Sequence, residues 1–232
     1  TLEEIALPGL CTRFIGGHRE TFKAFLKLAD EKRIDLHCMP QGILALLFAE
    51  QGEGKDFLLS CVGEGTFVDP RTGRGSRLTG EEQFVSVEEG KLRYHIPQID
   101  VAIFNAPAAD REGNLYVKDC ALIGESHEIA HAARKNKGVV IANVGLLVEP
   151  GYDEVFLPAS MVDAIVLYPG TEQTGSVPHR KPWRFFTPQS DLPAQEGIER
   201  ARFINRVIGI TPRRNEMRSE ERRVGKECRS RW

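Results

Sequence analysis

Two short segments of this sequence carry residues that could hold a carbonyl or carboxylate oxygen, and the first is Pro40-Gln41-Gly42. It lies between the apolar stretches IDLHC and ILALLF, which predict a strand followed by a helix. A helix that begins at Pro40 leaves its first N–H groups without partners, and Gln41 adds an amide donor beside them. The competing interpretation is a helix start with Gln41 facing solvent.

The second segment is CVGEGTFVDPR, residues 61–71, at the end of the apolar stretch DFLLSCV. Gly63 and Gly65 would let a ligand approach the backbone closely. Ligands usually bind at the carboxyl ends of strands in open α/β sheets. The segment lacks the third glycine of a dinucleotide-binding loop, and no evident helix follows it. A glycine-rich turn is therefore the alternative interpretation.

Residues 127–131 read HEIAH, an HExxH motif within a predicted helix. Two histidines at i and i+4 can share a zinc ion, and the glutamate can act as general base for an attacking water. A zinc-dependent hydrolase is therefore an alternative function.

Three features of the sequence argue against a zinc site at this helix. First, Glu125 places a further charge just upstream of the motif. Second, no second helix offers a third ligand, because Gly138 and a predicted strand follow the helix at once and Glu149 lies in a Pro-Gly loop. The helix also falls in a crossover of an α/β pattern, where it should cover the sheet. We predict no metal site here, and His18 and His37 have no partner spacing that would make them ligands.

The elements that must position these residues alternate between strand and helix. Periodicity predicts helices over residues 20–32, 40–50 and 121–136, the first with Phe22, Phe25, Leu26 and Ala29 on one face. Strands are predicted at residues 11–17, 34–38, 56–62, 139–145 and 162–169, with those at 11–17 and 56–62 buried. The strand at 56–62 reads as parallel because it is apolar throughout. Hairpins are predicted at Glu89-Gly90 and Gly113-Asn114.

This pattern predicts an α/β fold with an open, mostly parallel sheet covered by helices on both faces and an added β-hairpin region. The 232 residues are 41% hydrophobic with a formal net charge of −2, which argues against nucleic acid as a partner. No apolar run reaches the roughly 18 residues of a membrane helix, and no signal peptide is visible. Five scattered cysteines indicate reduced thiols and a cytoplasmic location.

The end of the chain differs in composition from the rest. Residues 170–193 are rich in Pro, Gly, Thr and Ser and predict a long loop, and residues 218–232 read RSEERRVGKECRSRW, which resembles a translated sequencing adapter. We expect a first domain over residues 1–195, truncated at its start. Residues 196–217 would then be a linker and first helix toward an absent second domain, and 218–232 an artefactual tail.

Taken together, the motifs resemble family I coenzyme A transferases, in particular the acetate, propionate and 3-oxoacid group that carries both halves on one chain. The resemblance covers roughly residues 7–187. The matching strings, in the order of the family, are FIGGH at 14–18, PQG at 40–42, GEGTFVDPR at 63–71 with Gly73 and Gly75 beyond it, IDVAI at 99–103 and ADREGN at 109–114.

The resemblance implies transfer of coenzyme A from a short-chain acyl-CoA to a free carboxylate through a glutamyl-CoA thioester. In the family that glutamate belongs to the second half of the protein, and no Glu here lies in a matching motif, so no catalytic residue is assigned to this chain. The resemblance implies a pocket wall made of Gln41, Gly42, Gly63, Gly65 and Thr66, with Gln41 and Gly42 near the substrate carboxyl group.

The same resemblance implies no permanently bound cofactor, with coenzyme A as the carried group. The expected partners are acyl-CoA, a small carboxylate and the carboxyl-terminal half of the same enzyme, which would form a homo-oligomer when intact. The implied setting is short-chain fatty acid or ketone-body (3-oxoacid) metabolism. A sugar-phosphate isomerase of similar architecture and a non-catalytic α/β fragment are further alternatives, although no phosphate loop supports the isomerase.

Overall fold

A computed structural model describes residues 2–19, 22–118 and 123–169 of the chain. The long loop predicted at 170–193, the linker and helix predicted at 196–217 and the tail at 218–232 all lie outside the described residues. The domain division drawn from the sequence therefore stays a prediction.

The described residues form nine strands and three α-helices, with short 3₁₀ turns at Leu2–Ile5 and Ala159–Met161. In chain order the elements are β1 (Arg13–Gly16), α1 (Lys23–Asp30), β2 (Asp35–Cys38), α2 (Gln41–Gly52), β3 (Leu58–Ser60), β4 (Val85–Glu88), β5 (Lys91–Tyr94), β6 (Val101–Asp110), β7 (Leu115–Tyr116), α3 (Ser126–Lys135), β8 (Val139–Val148) and β9 (Ala164–Leu167).

The first part of the chain is a β-α-β unit. β1 and β2 are parallel, with Gly16 opposite Cys38, so their carboxyl ends lie side by side. The connecting helix α1 buries Phe25, Leu28 and Ala29, which follow the i, i+3, i+4 spacing of a helix that covers a core on one face. All four residues that the sequence predicts on this face contact that core, Phe25 and Ala29 fully buried and Phe22 and Leu26 partly buried, and Leu28 joins them.

The second sheet has the order β3-β5-β4 and is antiparallel throughout. The predicted turn at Glu89-Gly90 is confirmed, since both residues have positive φ, 51° and 80°. The prediction of a parallel strand at residues 56–62 is wrong: only Leu58–Ser60 is strand, and it pairs antiparallel with β5. β5 belongs to the hairpin with β4 and lies beside β3. The apolar residues of β3 are therefore buried by an antiparallel hairpin strand and not by a parallel neighbour.

The third sheet has the order β7-β6-β8-β9, in which β6, β8 and β9 are parallel and β7 closes a hairpin on the end of β6. Helix α3 packs on one face of it through small residues. The alanines at that contact, all at most 1% exposed, are Ala102, Ala106, Ala130, Ala133 and Ala142. Small side chains let a helix approach a sheet closely, so α3 covers the sheet as the sequence predicts.

The α/β class predicted from the sequence is confirmed, but the strands form three sheets rather than one open sheet. Among the described residues, α3 covers one face of the third sheet, while Val101, Ile103 and Val166 of the other face are 48%, 67% and 51% exposed. No helix in the described ranges is long and apolar enough to cross a membrane.

Candidate active site

The start of helix α2 lies at the carboxyl ends of β1 and β2. Pro40 is the N-cap residue and makes no side-chain capping bond, and the first helical N–H bonds to its carbonyl come from Ile43 and Leu44. The N–H groups of Gln41 and Gly42 therefore have no hydrogen-bond partner within the described part of the chain. Both residues are exposed. Because helix N-terminal N–H groups attract negative charge, this end of α2 can hold an oxyanion.

Gly17 fixes the position of this helix start against β1. A Cβ atom on Gly17 would lie 2.6 Å from Oε1 of Gln41 and 2.9 Å from its Cα. The N–H of Met39 donates to the Gly16 carbonyl over 3.2 Å, which ties the end of β2 to the end of β1. The FIGG and PQG strings of the sequence therefore form one unit in the structure.

The glycine-bearing loop follows β3, and its two glycines do different things. Gly63 has φ of 94° and packs tightly, since a Cβ there would lie 2.5 Å from both Tyr94 Oη and Val68 Cγ1. Gly65 also has positive φ, 71°, but a Cβ there would meet nothing within 4 Å. The Thr66 hydroxyl donates to the Gly63 carbonyl over 2.7 Å, so its proton is already used within the loop.

The buried side chain of Asp69 holds this loop in place through hydrogen bonds, a role that the sequence did not predict. It is 1% exposed, and its carboxylate accepts hydrogen bonds from the Gly65 N–H at 2.9 Å and from the Arg71 guanidinium at 2.8 Å. The hydrogen bonds from Arg71 and then from Gly65 hold the pKa of Asp69 far below its usual range. The Asp-Pro-Arg string was the available signal, because aspartate commonly bonds the backbone two residues ahead, as it does here to the Arg71 N–H.

Tyr94 supports the same loop from β5. Its hydroxyl donates to the Val62 carbonyl over 2.5 Å, and burial followed by the charge of Asp69 raises its pKa to about 12. Tyr94 therefore remains protonated near neutral pH and keeps donating. Its partner is 32 positions away in the chain, so no local pattern could have revealed the contact.

The two predicted segments lie on the same hydrophobic core but do not touch through a hydrogen bond in the described part of the chain. Met39, Ile43 and Leu47 from the PQG side join Val68 and Tyr94 from the loop side in that core. The structure thus places the predicted residues around one hydrophobic core, and the exposed members are Gln41, Gly42, Gly65 and Thr66.

The ADREGN string forms a structural turn. Asp110 is 2% exposed, and its carboxylate accepts bonds from the N–H groups of Glu112 and Asn114, the Asn114 amide and the Tyr116 hydroxyl. Burial opposes ionisation, but the bonds from Asn114, Tyr116 and the backbone outweigh it and lower the pKa of Asp110 to about 2. A carboxylate with four donors has no free lone pair for attack on a substrate.

The HExxH residues lie on the exposed side of α3. The rings of His127 and His131 are 4.3 Å apart, His127 also contacts Phe156, and burial followed by the neighbouring His127 lowers the pKa of His131. Across the described ranges, no group of three or more His, Cys, Asp or Glu side chains could hold a metal ion. The pair therefore lacks the third ligand that a catalytic zinc ion requires.

An open depression with about 300 Å³ of free space lies at the other end of α2. It is lined by residues that end α2 and α3 and precede β6, namely Gln51, Gly54, Lys55, Asp56, Gln98, Ala132, Lys135 and Asn136. None of the predicted site residues is among them. The start of α2 is the better candidate.

Comparisons with known proteins give consistent results. The chain is 30% identical over 176 residues to a caffeate CoA-transferase from Acetobacterium woodii, a match of 72% of this chain and 33% of that protein. It is 28% identical over 180 residues to the acetate CoA-transferase YdiF of Escherichia coli (strain K12), covering 74% of this chain and 34% of that protein. No protein-family model matches it.

A solved structure agrees with these matches. The acyl-CoA transferase YdiF from E. coli O157:H7, in a thioester complex with CoA, superposes with a TM-score of 0.72 at 26% identity, over 82% of this chain and 40% of that one. The chain spans about a third of the length of the curated relatives it matches. The resemblance predicted from the sequence motifs is thereby confirmed.

Proposed function

We propose that this chain, as a homologue of family I coenzyme A transferases, supplies the amino-terminal half of a site that moves coenzyme A from a short-chain acyl-CoA to a free carboxylate. The observation that carries this proposal is the start of α2 at the carboxyl ends of two parallel strands, where the N–H groups of Gln41 and Gly42 have no partner among the described residues and the Gln41 side chain lies against Gly17. Donors in this arrangement suit the oxyanion of acyl transfer.

The proposed reaction proceeds by covalent catalysis. A glutamate carboxylate attacks the thioester carbonyl, and CoA leaves as a thiolate while an acyl-glutamyl anhydride forms. The thiolate then attacks the glutamyl carbonyl, which releases the first acid and leaves a glutamyl-CoA thioester. An incoming carboxylate reverses these two steps and departs as the new acyl-CoA. Each addition passes through an oxyanion, which the donors at Gln41 and Gly42 would stabilise.

The attacking glutamate is proposed to lie in the part of the enzyme outside this chain. Asp69 and Asp110 are the buried carboxylates among the described residues, and both are saturated by hydrogen bonds. The thioester complex that YdiF from E. coli O157:H7 forms with CoA supports the thioester route for this chain too. Gly63, Gly65 and Thr66 would line the same cleft. A homo-oligomer and a cytoplasmic location remain part of the proposal.

Replacing Gln41 by Ala in the full-length enzyme tests the proposal. Loss of one donor from an oxyanion site costs about a hundredfold or more in rate, so the exchange of CoA between a short acyl-CoA and a free carboxylate should slow by that factor. Gln98→Ala is the matched control because Gln98 is an exposed glutamine away from α2's start. The 232-residue chain alone should show no exchange.

Two results would contradict the proposal. Turnover by the isolated chain would show that the nucleophile lies within it. Equal rates for Gln41→Ala and Gln98→Ala would remove Gln41 from the site. No observation favours a zinc hydrolase, since the histidine pair lacks a third ligand in the part of the chain that the structure describes.

A further inference from the structure

A buried polar network begins on β2, four residues before Gln41. His37 and Ser76 are both 0% exposed, and Nδ1 of His37 lies 3.1 Å from the Ser76 hydroxyl oxygen. That hydroxyl lies 3.0 Å from Oε1 of Gln83. The backbone reinforces the contact, because the Cys38 N–H donates to the Ser76 carbonyl over 2.7 Å.

The network continues into the glycine-bearing loop. The Gln83 amide nitrogen donates to the Arg74 carbonyl over 2.9 Å, and the Arg74 N–H donates to the Phe67 carbonyl over 2.9 Å. The Thr72 hydroxyl donates to the Thr66 carbonyl over 3.1 Å. A continuous series of hydrogen bonds therefore links the strand that leads to Gln41 with the loop that carries Thr66.

The surroundings of the two ring nitrogens indicate which nitrogen of His37 carries the proton. Nε2 is buried and has no hydrogen-bond partner in the described residues, so an N–H there would be a buried donor without an acceptor. At Nδ1 the Ser76 hydroxyl oxygen can accept, and its own proton can go to Oε1 of Gln83, 3.0 Å away, which also accepts the N–H groups of Ser76, Phe84 and Val85. A proton on Nδ1 therefore leaves no donor of the ring unpaired.

We propose that His37 is a positioning residue of the candidate transferase site: its neutral Nδ1–H tautomer holds Ser76 and, through Gln83, keeps the loop at residues 63–75 in place relative to Gln41. This inference rests on the proposed function, because it assigns His37 to that same site. His37 touches no substrate in this scheme and acts through Ser76.

The surroundings of His37 support the neutral form. Burial, and then the guanidinium of Arg13, lower its pKa, with Arg77 acting in the same direction and Asp35 and Glu82 opposing them. A second proton would place an N–H on Nε2, where no acceptor lies. The network should therefore be intact above the ordinary histidine pKa of about 6.5 and weaken as the pH falls below it.

The tautomer is tested directly by nitrogen NMR on the ¹⁵N-labelled 232-residue chain at neutral pH. The expected spectrum shows a protonated Nδ1 and an unprotonated Nε2 for His37, with exposed His131 as an internal reference. A protonated Nε2 with a bare Nδ1 would overturn the proposal.

The positioning role is tested by two variants of the full-length enzyme that are both polar and both unable to titrate. The Asn side chain of His37→Asn can place its amide nitrogen where Nδ1 lies, whereas His37→Gln places it near Nε2. We expect His37→Asn to keep kcat within about threefold, and His37→Gln to lose on the order of 10- to 100-fold in kcat with little change in KM.

Urea unfolding measures the stability of both variants. If His37 were merely structural, the loss of kcat in each variant would follow its loss of stability. Full kcat in His37→Gln, or an equal loss in both variants while both are folded, would refute the positioning role. If Gln41→Ala leaves exchange unchanged while the NMR result holds, the proposed function fails and the tautomer assignment stands. The two failures are therefore distinguishable.

Discussion

At the scale of single residues, the candidate site and the buried carboxylates have opposite chemistry. The start of α2 offers N–H donors that have no acceptor among the described residues, while Asp69 and Asp110 are acceptors whose lone pairs are all used. Donors without acceptors can stabilise a developing negative charge, whereas saturated carboxylates can only hold a fold together. This contrast is why the nucleophile is sought outside the described residues.

Asp110 gives a prediction about pH. Its pKa is about 2 in the folded chain and about 3.9 in an unfolded one, so its bonds stabilise the fold above pH 4. That contribution, about 1–2 kcal/mol, should be lost as the pH falls from about 4 toward 2, because the unfolded chain then binds more protons. The free energy of unfolding, measured by urea between pH 5 and pH 2, should decline over this interval.

Asp110→Asn provides the control for that measurement. The variant should be less stable at pH 7, since the Tyr116 hydroxyl and two backbone N–H groups lose a charged acceptor. Its stability should also depend less on pH between 4 and 2 than that of the unaltered chain. An identical pH dependence in both proteins would mean that other carboxylates carry the effect.

At the scale of elements, the approach of β1 to α2 decides where the donors of Gln41 lie. Gly17→Ala would force a methyl group against the Cα of Gln41, at 2.9 Å, where backbone must move. Overpacking of this kind typically costs about 1–3 kcal/mol. We expect a lower Tm and, in the full-length enzyme, slower CoA exchange, because the helix start shifts.

Gly42→Ala is the matched control for the stability measurement. A Cβ on Gly42 would meet nothing within 4 Å, so the thermal unfolding temperature should stay the same or rise. If Gly17→Ala proved as stable as Gly42→Ala, the close approach of β1 to α2 would not be fixing the helix start.

Helix α3 gives a second prediction at this scale. Its two histidines face solvent and its buried side packs on the sheet, so the helix has a structural explanation that needs no metal. Equilibrium dialysis of the 232-residue chain against zinc should therefore find no stoichiometric binding. Zinc bound at one equivalent, and lost in both His127→Ala and His131→Ala, would establish a metal site instead.

At the scale of the whole molecule, the sequence predicted individual helices and turns better than the way in which the strands pair. The hairpin at Glu89-Gly90 and the helix start at Pro40 depend on local conformation, which neighbouring residues determine. The antiparallel pairing of β3 and the bond from Tyr94 to the loop depend on segments that meet only after folding. An apolar strand pattern shows that a strand is buried but not by which neighbour, which is why the parallel assignment of β3 was wrong.

The candidate site shows the same division. The resemblance to the family implied Gln41, Gly42, Gly65 and Thr66 as pocket wall; all four are exposed, and their role in binding stays a prediction. Gly63 was implied by the same resemblance but packs against Tyr94. His37 had no signature at all, because its role depends on Ser76, 39 positions away. Positioning residues of this type become visible only when hydrogen-bond directions can be traced.

The last prediction concerns the end of the chain. Residues 218–232 hold six Lys and Arg and three Glu among their fifteen residues, and they resemble a translated adapter rather than a folded segment. A segment with so few apolar side chains can bury little surface and so contributes little to stability. A chain that ends at residue 217 should therefore unfold within about 0.5 kcal/mol of the 232-residue chain in urea. The contrasting control is deletion of fifteen residues from the start of the chain. That deletion removes Ala6 and Cys11, which pack in the core under α1, and should destabilise the fold. If deletion of residues 218–232 lowered the free energy of unfolding by nearly as much as the control deletion, the tail would belong to the protein.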